Sequence, residues 1–408
     1  MGLPVSTSSL QKIDRWIGVP VCGILSLARK LFGSKPTREK PRKILFVKFA
    51  EQGSTVIAHA ALRRAGRMVG RENVYFIVFE ENRFILDVLD LVPVENVITI
   101  PTGSAVEMAF GALRALRRIQ ELKIDAAVDL EFFSRSSAAL TFLTRARSRA
   151  GFHTFFGEGP YRGDLMTHRL LYNPYLHTSQ IFEQMVMALE QDPADLPTFG
   201  VQPPPVDRNL PLFEARPGEI DEVREMLRSL GRENEPLILL NPNASDLLPL
   251  RKWEPVRYVE LARRLLVAMP NIRIAMTGAP SEAEPIARLA AEAGSPRCFS
   301  VAGKTTLRQL MVLYSLSELL ITNDSGPAHF ATLTPIHVIT LFGPETPSLF
   351  AAPTTRNTAI WLGIACSPCV NAYNNRQSPC TNNVCMQQIT VERVFAEAMR
   401  VMGQRHHV

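Results

Sequence analysis

Residues 319–331 read Leu319-Leu320-Ile321-Thr322-Asn323-Asp324-Ser325-Gly326-Pro327-Ala328-His329-Phe330-Ala331, and the chain resumes as His337-Val338-Ile339-Thr340-Leu341. An apolar run of strand length ends in a polar turn. Pro327 then sits where the first turn of a helix tolerates it, and Pro335 stops that helix before a second apolar run. Strands joined through a helix lie parallel, so this stretch places the chain among α/β proteins. The helix start offers unpaired amides and a positive dipole end, which suit a diphosphate. An ordinary N-cap, with Ser325 or Asp324 accepting from its own helix, fits the same residues.

The pattern continues in both directions. Residues 237–241, 272–277, 319–322 and 337–341 read as strands, with helices over 255–268, 282–293, 306–316 and 391–402. Earlier, 44–49, 74–79, 97–100 and 126–130 read as buried parallel strands, with helices over 55–69, 83–91 and 104–122. Pro193, Pro197, Pro203, Pro204, Pro205, Pro211 and Pro217 separate the two series. The expected organisation is a basic tail over 1–41, a Rossmann-like domain over 42–190, a Pro-rich linker and lead-in over 191–235, and a second Rossmann-like domain over 236–408. Ligands of such sheets bind beyond the strands' carboxyl ends, here expected in a cleft between the halves. Neither G-x-G-x-x-G nor G-x-x-x-x-G-K-[ST] occurs, so the dehydrogenase and P-loop classes lose their support.

Composition narrows the partners. The 408 residues are 46% hydrophobic and 21% charged, ordinary for a soluble chain, with a net charge of +6. Residues 1–43 alone hold nine basic residues against two acidic ones, so the rest is nearly neutral. No nucleic acid is expected on so neutral a body. In the tail, residues 16–28 (WIGVPVCGILSLA) carry no charge, yet a membrane-spanning helix needs about 20 apolar residues. The expectation is contact with a membrane surface through residues 12–32; packing on the protein's own body and a targeting peptide stay open. The opening Met1-Gly2-Leu3-Pro4-Val5-Ser6 fits a myristoylation pattern too short to weigh.

Asn241-Pro242-Asn243-Ala244-Ser245 and Arg251-Lys252-Trp253 follow the first strand of the second series. Lys252 can act as a point charge on a phosphate, or be a solvated lysine. With Asp324-Ser325-Gly326-Pro327, His329 and Leu341-Phe342-Gly343-Pro344-Glu345-Thr346-Pro347, these residues resemble the nucleotide-sugar signature of glycosyltransferase family 9, the heptosyltransferases. Residues 43–53, Val128-Asp129-Leu130 and Arg149-Ala150-Gly151-Phe152 resemble further landmarks of that family, so the resemblance covers about 43–401. It implies a GT-B fold in which the second domain binds a nucleotide sugar, commonly ADP-heptose, and the first binds a lipopolysaccharide-core or other lipid-linked glycan acceptor. It implies inverting transfer with no cofactor required for catalysis. Together with the apolar, basic tail, the leading expectation is a cytoplasmic protein peripheral on the inner membrane face. Carried onto this chain, the donor residues are Asn243, Ser245, Lys252, Asp324, Ser325, Gly326, Pro327 and His329, with Gly53 and His177 on the acceptor side.

One departure concerns the catalytic base. The family's first loop usually carries Gly-Asp, whereas this loop reads Phe49-Ala50-Glu51-Gln52-Gly53-Ser54-Thr55. Glu51 and Ser54 are the catalytic candidates: Glu51 supplies the base, another carboxylate does, or the activity has changed or lapsed into nucleotide-sugar or partner binding. A UDP- or GDP-sugar transferase for capsule or O-antigen is the enzymatic alternative. His59 follows Gly53 by six residues and is a lesser candidate, and His406-His407 close the chain. Finally, Cys366, Cys369, Cys380 and Cys385 have the spacing of a structural Zn²⁺ site, with reduced thiols, disulfides or an iron–sulfur cluster as alternatives.

Overall fold

The structure is a computed structural model that describes residues 14–32, 39–230, 235–244 and 248–405. The chain divides into two compact units, Met1–Asp207 with Asn371–Gln377 and Arg208–Val370 with Ser378–Val408. In the first, β1 (Ile44–Val47), β2 (Val74–Phe79), β3 (Val97–Ile100), β4 (Ala126–Asp129), β5 (Ser148–Phe152) and β6 (His168–Leu170) form a parallel sheet in the order β3-β2-β1-β4-β5-β6. In the second, β7 (Leu237–Asn241), β8 (Arg273–Met276), β9 (Cys298–Ser300), β10 (Leu319–Asn323), β11 (His337–Leu341) and β12 (Asn357–Ile360) repeat that order as β12-β11-β10-β7-β8-β9. The α/β, twice Rossmann-like reading therefore holds.

Each sheet reverses its order once, between β1 and β4 in one and between β7 and β10 in the other. Crevices for ligands open at such switch points. The register sets Val47 beside Asp129 and Thr322 beside Asn241, so the loops that follow these strands emerge as neighbours. The central strands are mainly apolar until their carboxyl ends because helices cover both faces; β1 and β10 are buried at every position.

Several boundaries differ from the sequence expectation. The Pro-rich stretch expected as a linker over 191–235 is divided at Asp207, and its second part holds the helix Glu219–Ser229. The helix expected over 55–69 starts earlier and breaks at Ala58 into Gln52–Ile57 and His59–Val69. Unit 2 is not one continuous stretch from 236, since Asn371–Gln377 belongs to unit 1. The apolar segment of the tail forms the helix Gly18–Phe32, which packs on Arg135–Leu143 through Cys22, Leu25 and Ser26. A Cβ on Gly18 would lie 2.7 Å from the Arg135 side chain, so glycine permits that approach. Its other face leaves Trp16, Ile17, Ile24, Leu27 and Leu31 exposed. No helix among the described residues is long and apolar enough to cross a membrane.

Candidate active site

In unit 1 the chain leaves β1 through Lys48 and turns at Glu51, whose φ of 66° lies in the left-handed region that a non-glycine residue rarely adopts. Glu51 precedes the helix Gln52–Ile57 but its side chain caps nothing there. Instead its Oε2 accepts from Ser54 Oγ at 3.0 Å and lies 3.7 Å from Lys48 Nζ, while Oε1 pairs with Arg376. Ser54 is thus brought onto the carboxylate it was weighed against. Gly53 is buried in the same helix.

A second carboxylate from the other side of the switch point fixes this loop. Glu131 Oε1 accepts the amides of Phe49 at 2.8 Å and Ala50 at 3.4 Å, and its Oε2 lies 3.4 Å from Lys48 Nζ. Lys48 is fully buried, and burial pulls its pKa below the usual lysine range. The Glu131 amide in turn donates to Asp129 Oδ1, and the other oxygen of Asp129 takes Ser137 Oγ and Arg162. Burial outweighs Arg162 there, raising Asp129 to about 6.

Arg376 was not foreseen, since it lies in sequence inside the second series. The excursion Asn371–Gln377 delivers it, held by Tyr373, whose hydroxyl donates to the Tyr172 carbonyl at 2.7 Å and whose ring meets Phe133 and Tyr172. The Arg376 guanidinium stands 5.6 Å from the Phe132 ring centre, and burial lowers its pKa to about 10. Asn375 and Arg376 both have positive φ, so the excursion and Glu51 meet with left-handed backbone on both sides. His177 serves the local fold: its Nδ1 accepts the Ser179 amide at 3.2 Å and so caps the helix Thr178–Ala188. His59 is fully buried, 3.6 Å from Asp207, and burial lowers its pKa.

In unit 2 the organising residue is Asn323, at the end of β10 and fully buried. Its Oδ1 accepts from the Trp253 amide and Tyr258 hydroxyl, each at 3.1 Å, and its Nδ2 donates to the carbonyls of Pro242 and Asn243. One side chain thus joins the β10 turn, the β7 turn and the Arg251-Lys252-Trp253 segment. Ser325 turns its Oγ back to the Asn323 carbonyl at 3.1 Å rather than capping the helix Gly326–Ala331, so the ordinary N-cap reading does not hold for it. Gly326 and Pro327 open that helix, and His329 is buried within it. Ser245 lies outside the described residues.

Asp324 carries the charge of this turn. Arg251 Nε stands 3.7 Å from its carboxylate, and the same guanidinium pairs with Glu345 beyond β11. Burial pushes Glu345 up to about 8, Arg251 opposes that rise, and Asp324 adds to it. Arg251 therefore organises the acidic pair. Lys252 beside it is partly buried, with its carbonyl held by Asn383 Nδ2 at 3.0 Å.

The four cysteines do not assemble as expected for zinc. Cys366 is exposed, Cys369 Sγ accepts from Ser378 Oγ, Cys380 Sγ donates to the Asn382 carbonyl, and Cys385 is buried beside Gly343. Among the described residues no group of three or more His, Cys, Asp or Glu is arranged to hold a metal. Burial raises the Cys385 pKa, and the neighbouring Cys369, Cys366 and Cys380 add to that rise.

Comparison with known proteins finds a family profile, curated relatives and structures of the same fold. The family profile described as glycosyltransferase family 9 (heptosyltransferase) matches residues 112–378. Lipooligosaccharide heptosyltransferase 2 of Haemophilus ducreyi is 26% identical over 334 residues, covering 78% of this chain and 88% of that protein. The solved E. coli ADP-heptose LPS heptosyltransferase II superposes with a TM-score of 0.66 at 19% identity, covering 89% of this chain and 99% of that one. A family 9 glycosyltransferase from Veillonella parvula gives a TM-score of 0.69 at 15% identity, covering 91% and 100%.

Proposed function

The chain belongs to glycosyltransferase family 9, the heptosyltransferases, and from that membership we propose that it moves a heptose-like sugar from a nucleoside diphosphate donor such as ADP-heptose to a lipopolysaccharide-core or other lipid-linked glycan hydroxyl. Relatives named for lipooligosaccharide and lipopolysaccharide heptosyl transfer support this choice of sugar and acceptor. In this reading the protein works at the inner face of the cytoplasmic membrane, touching it through residues 12–32.

The observation that carries the reading is the Glu51 carboxylate, gripped by Ser54, Lys48 and Arg376 at the switch point of unit 1. A serine hydroxyl cannot take a proton at neutral pH, and a carboxylate can. Glu51 removes the proton from the acceptor hydroxyl, which attacks the anomeric carbon from the face opposite the leaving group and inverts it. Ser54 orients the base. The anomeric carbon passes through an oxocarbenium-like state while the departing diphosphate gathers negative charge. In unit 2, Lys252, Asn243 and the first-turn amides at Ser325 and Gly326 meet that charge, beside Asp324, Pro327 and His329. With the protein supplying these charges, no metal ion is required.

The test is turnover of labelled ADP-heptose with a heptose-deficient lipopolysaccharide core, reading released nucleotide and product mass together. Lys252→Ala should lower donor affinity or turnover about tenfold or more, the scale of a charge-assisted contact. Transfer from UDP- or GDP-sugars instead of ADP-heptose would redirect the substrate assignment.

A further inference from the structure

Away from both switch points, unit 1 carries a pocket of about 520 Å³ whose wall includes Arg29, Arg117, Arg145 and Arg149, and none of the described residues lining it is acidic. Arg29 comes from the helix Gly18–Phe32, Arg117 from the helix Ala105–Glu121, Arg145 from the chain leading into β5, and Arg149 from β5 itself. Arg117 and Arg145 are exposed, whereas Arg149 is buried over the Phe142 ring and donates to the Leu165 carbonyl. Arg29 pairs with Asp164, one carboxylate behind a wall of four guanidiniums. Arg149 is lowered to about 10, first by burial and next by the charge of Arg29.

Both helices that supply these arginines also carry exposed apolar side chains, of which Leu113 lines the pocket itself. On Ala105–Glu121, the side that buries Gly111, Ala115 and Ile119 leaves Val106, Phe110 and Leu113 outward at intervals of four and three, and the next step of four reaches Arg117. On Gly18–Phe32, Ile24, Leu27 and Leu31 are 68%, 58% and 65% exposed around Arg29. Exposed apolar rows ending on clustered arginines match a phase boundary, with hydrocarbon on one side and phosphate at its edge.

We propose that this pocket receives the phosphate-bearing headgroup of an anionic phospholipid, with the two apolar rows seated at the acyl boundary of the same leaflet. Guanidiniums suit the role because their planar forks bind phosphate oxygens in pairs. The site deepens the membrane placement proposed above, yet its binding test does not depend on the transfer chemistry.

The experiment is co-sedimentation of the full chain with vesicles of phosphatidylcholine alone or with added phosphatidylglycerol. Wild-type protein should bind the anionic vesicles at least about tenfold better. The double variant Arg117→Glu/Arg145→Glu changes two exposed residues outside the catalytic machinery, and should lose about tenfold or more of that binding with its melting temperature kept. Phe110→Ser/Leu113→Ser should weaken binding to both vesicle types. Equal binding of wild type to both compositions overturns the proposal, as does undiminished anionic binding by the charge-reversed variant. Transfer to a soluble acceptor fragment, measured on the same variants, should stay at the wild-type level; its loss together with intact vesicle binding would place the arginines in the chemistry instead and also overturn it.

Discussion

Glu51 and Glu345 each pair with an arginine at a Rossmann switch point, and they differ in what surrounds that pair. Around Glu51, two carboxylates (Glu51 and Glu131) meet two cations (Lys48 and Arg376), and the Glu51 side chain keeps 26% of its surface. Around Glu345, two carboxylates (Asp324 and Glu345) share Arg251 in a buried site, and Glu345 is raised to about 8. Balanced charge and an open side suit a group that must exchange a proton. Buried excess negative charge suits one that stores it.

The sharpest way to break this contrast is Glu51→Gln, expected to cost about 10²-fold or more in turnover. Full activity would move the base elsewhere, and a large gain in Ser54→Asp would mean the family's catalytic group had been lost here. Next, Arg251→Ala leaves two buried acids without their cation and should destabilise unit 2 by about 3–5 kcal/mol in chemical denaturation. A change under about 1 kcal/mol would show that water reaches the pair. Smaller again, Arg376→Ala should lower turnover roughly tenfold by freeing the Glu51 carboxylate, with partial recovery in Arg376→Lys and a displaced pH profile. A stability loss with the pH profile unmoved would reduce Arg376 to a fold contact.

The smallest effect is in pH dependence. The folded pKa of Glu345 lies above its unfolded value, so the folded state binds the extra proton. Its contribution to stability is present below about pH 4.5 and is lost as pH rises through about 8. Glu345→Gln should flatten that part of the stability–pH curve by on the order of 1–3 kcal/mol while leaving the acid limb in place. Identical curves for the two proteins would show that Glu345 does not carry that proton.

Both sheets were legible because central parallel strands are apolar runs bounded by turns, as in Ile44–Val47 and Leu319–Asn323. Three of the four edge strands were not. His168–Leu170 and Cys298–Ser300 are three residues long, and Asn357–Ile360 buries only its last residue, so none of them has the length or pattern to stand out. The turn from Asp324 to Pro327 was readable because turns and helix starts are local chemistry. Arg376, Glu131 and Arg251 were not assigned, because each acts on a residue 80 or more positions away except where a strand pairing brings the loops together. The cysteine spacing does bring Cys366, Cys369 and Cys380 near enough to raise the Cys385 pKa, but among the described residues no metal-ligand group is arranged there.

The excursion Asn371–Gln377 also sets an order of events during synthesis. Every strand of both sheets is synthesised before Arg376 is added, since the last of them ends at Ile360. Domains generally fold as units while the nascent chain lengthens. A chain released between those points carries all twelve strands and still lacks the guanidinium that steadies Glu51. The partner of Glu51 thus comes after the strands, and the helix Val391–Arg405, whose Val394, Ala398 and Val401 fill the core of unit 2, comes later still.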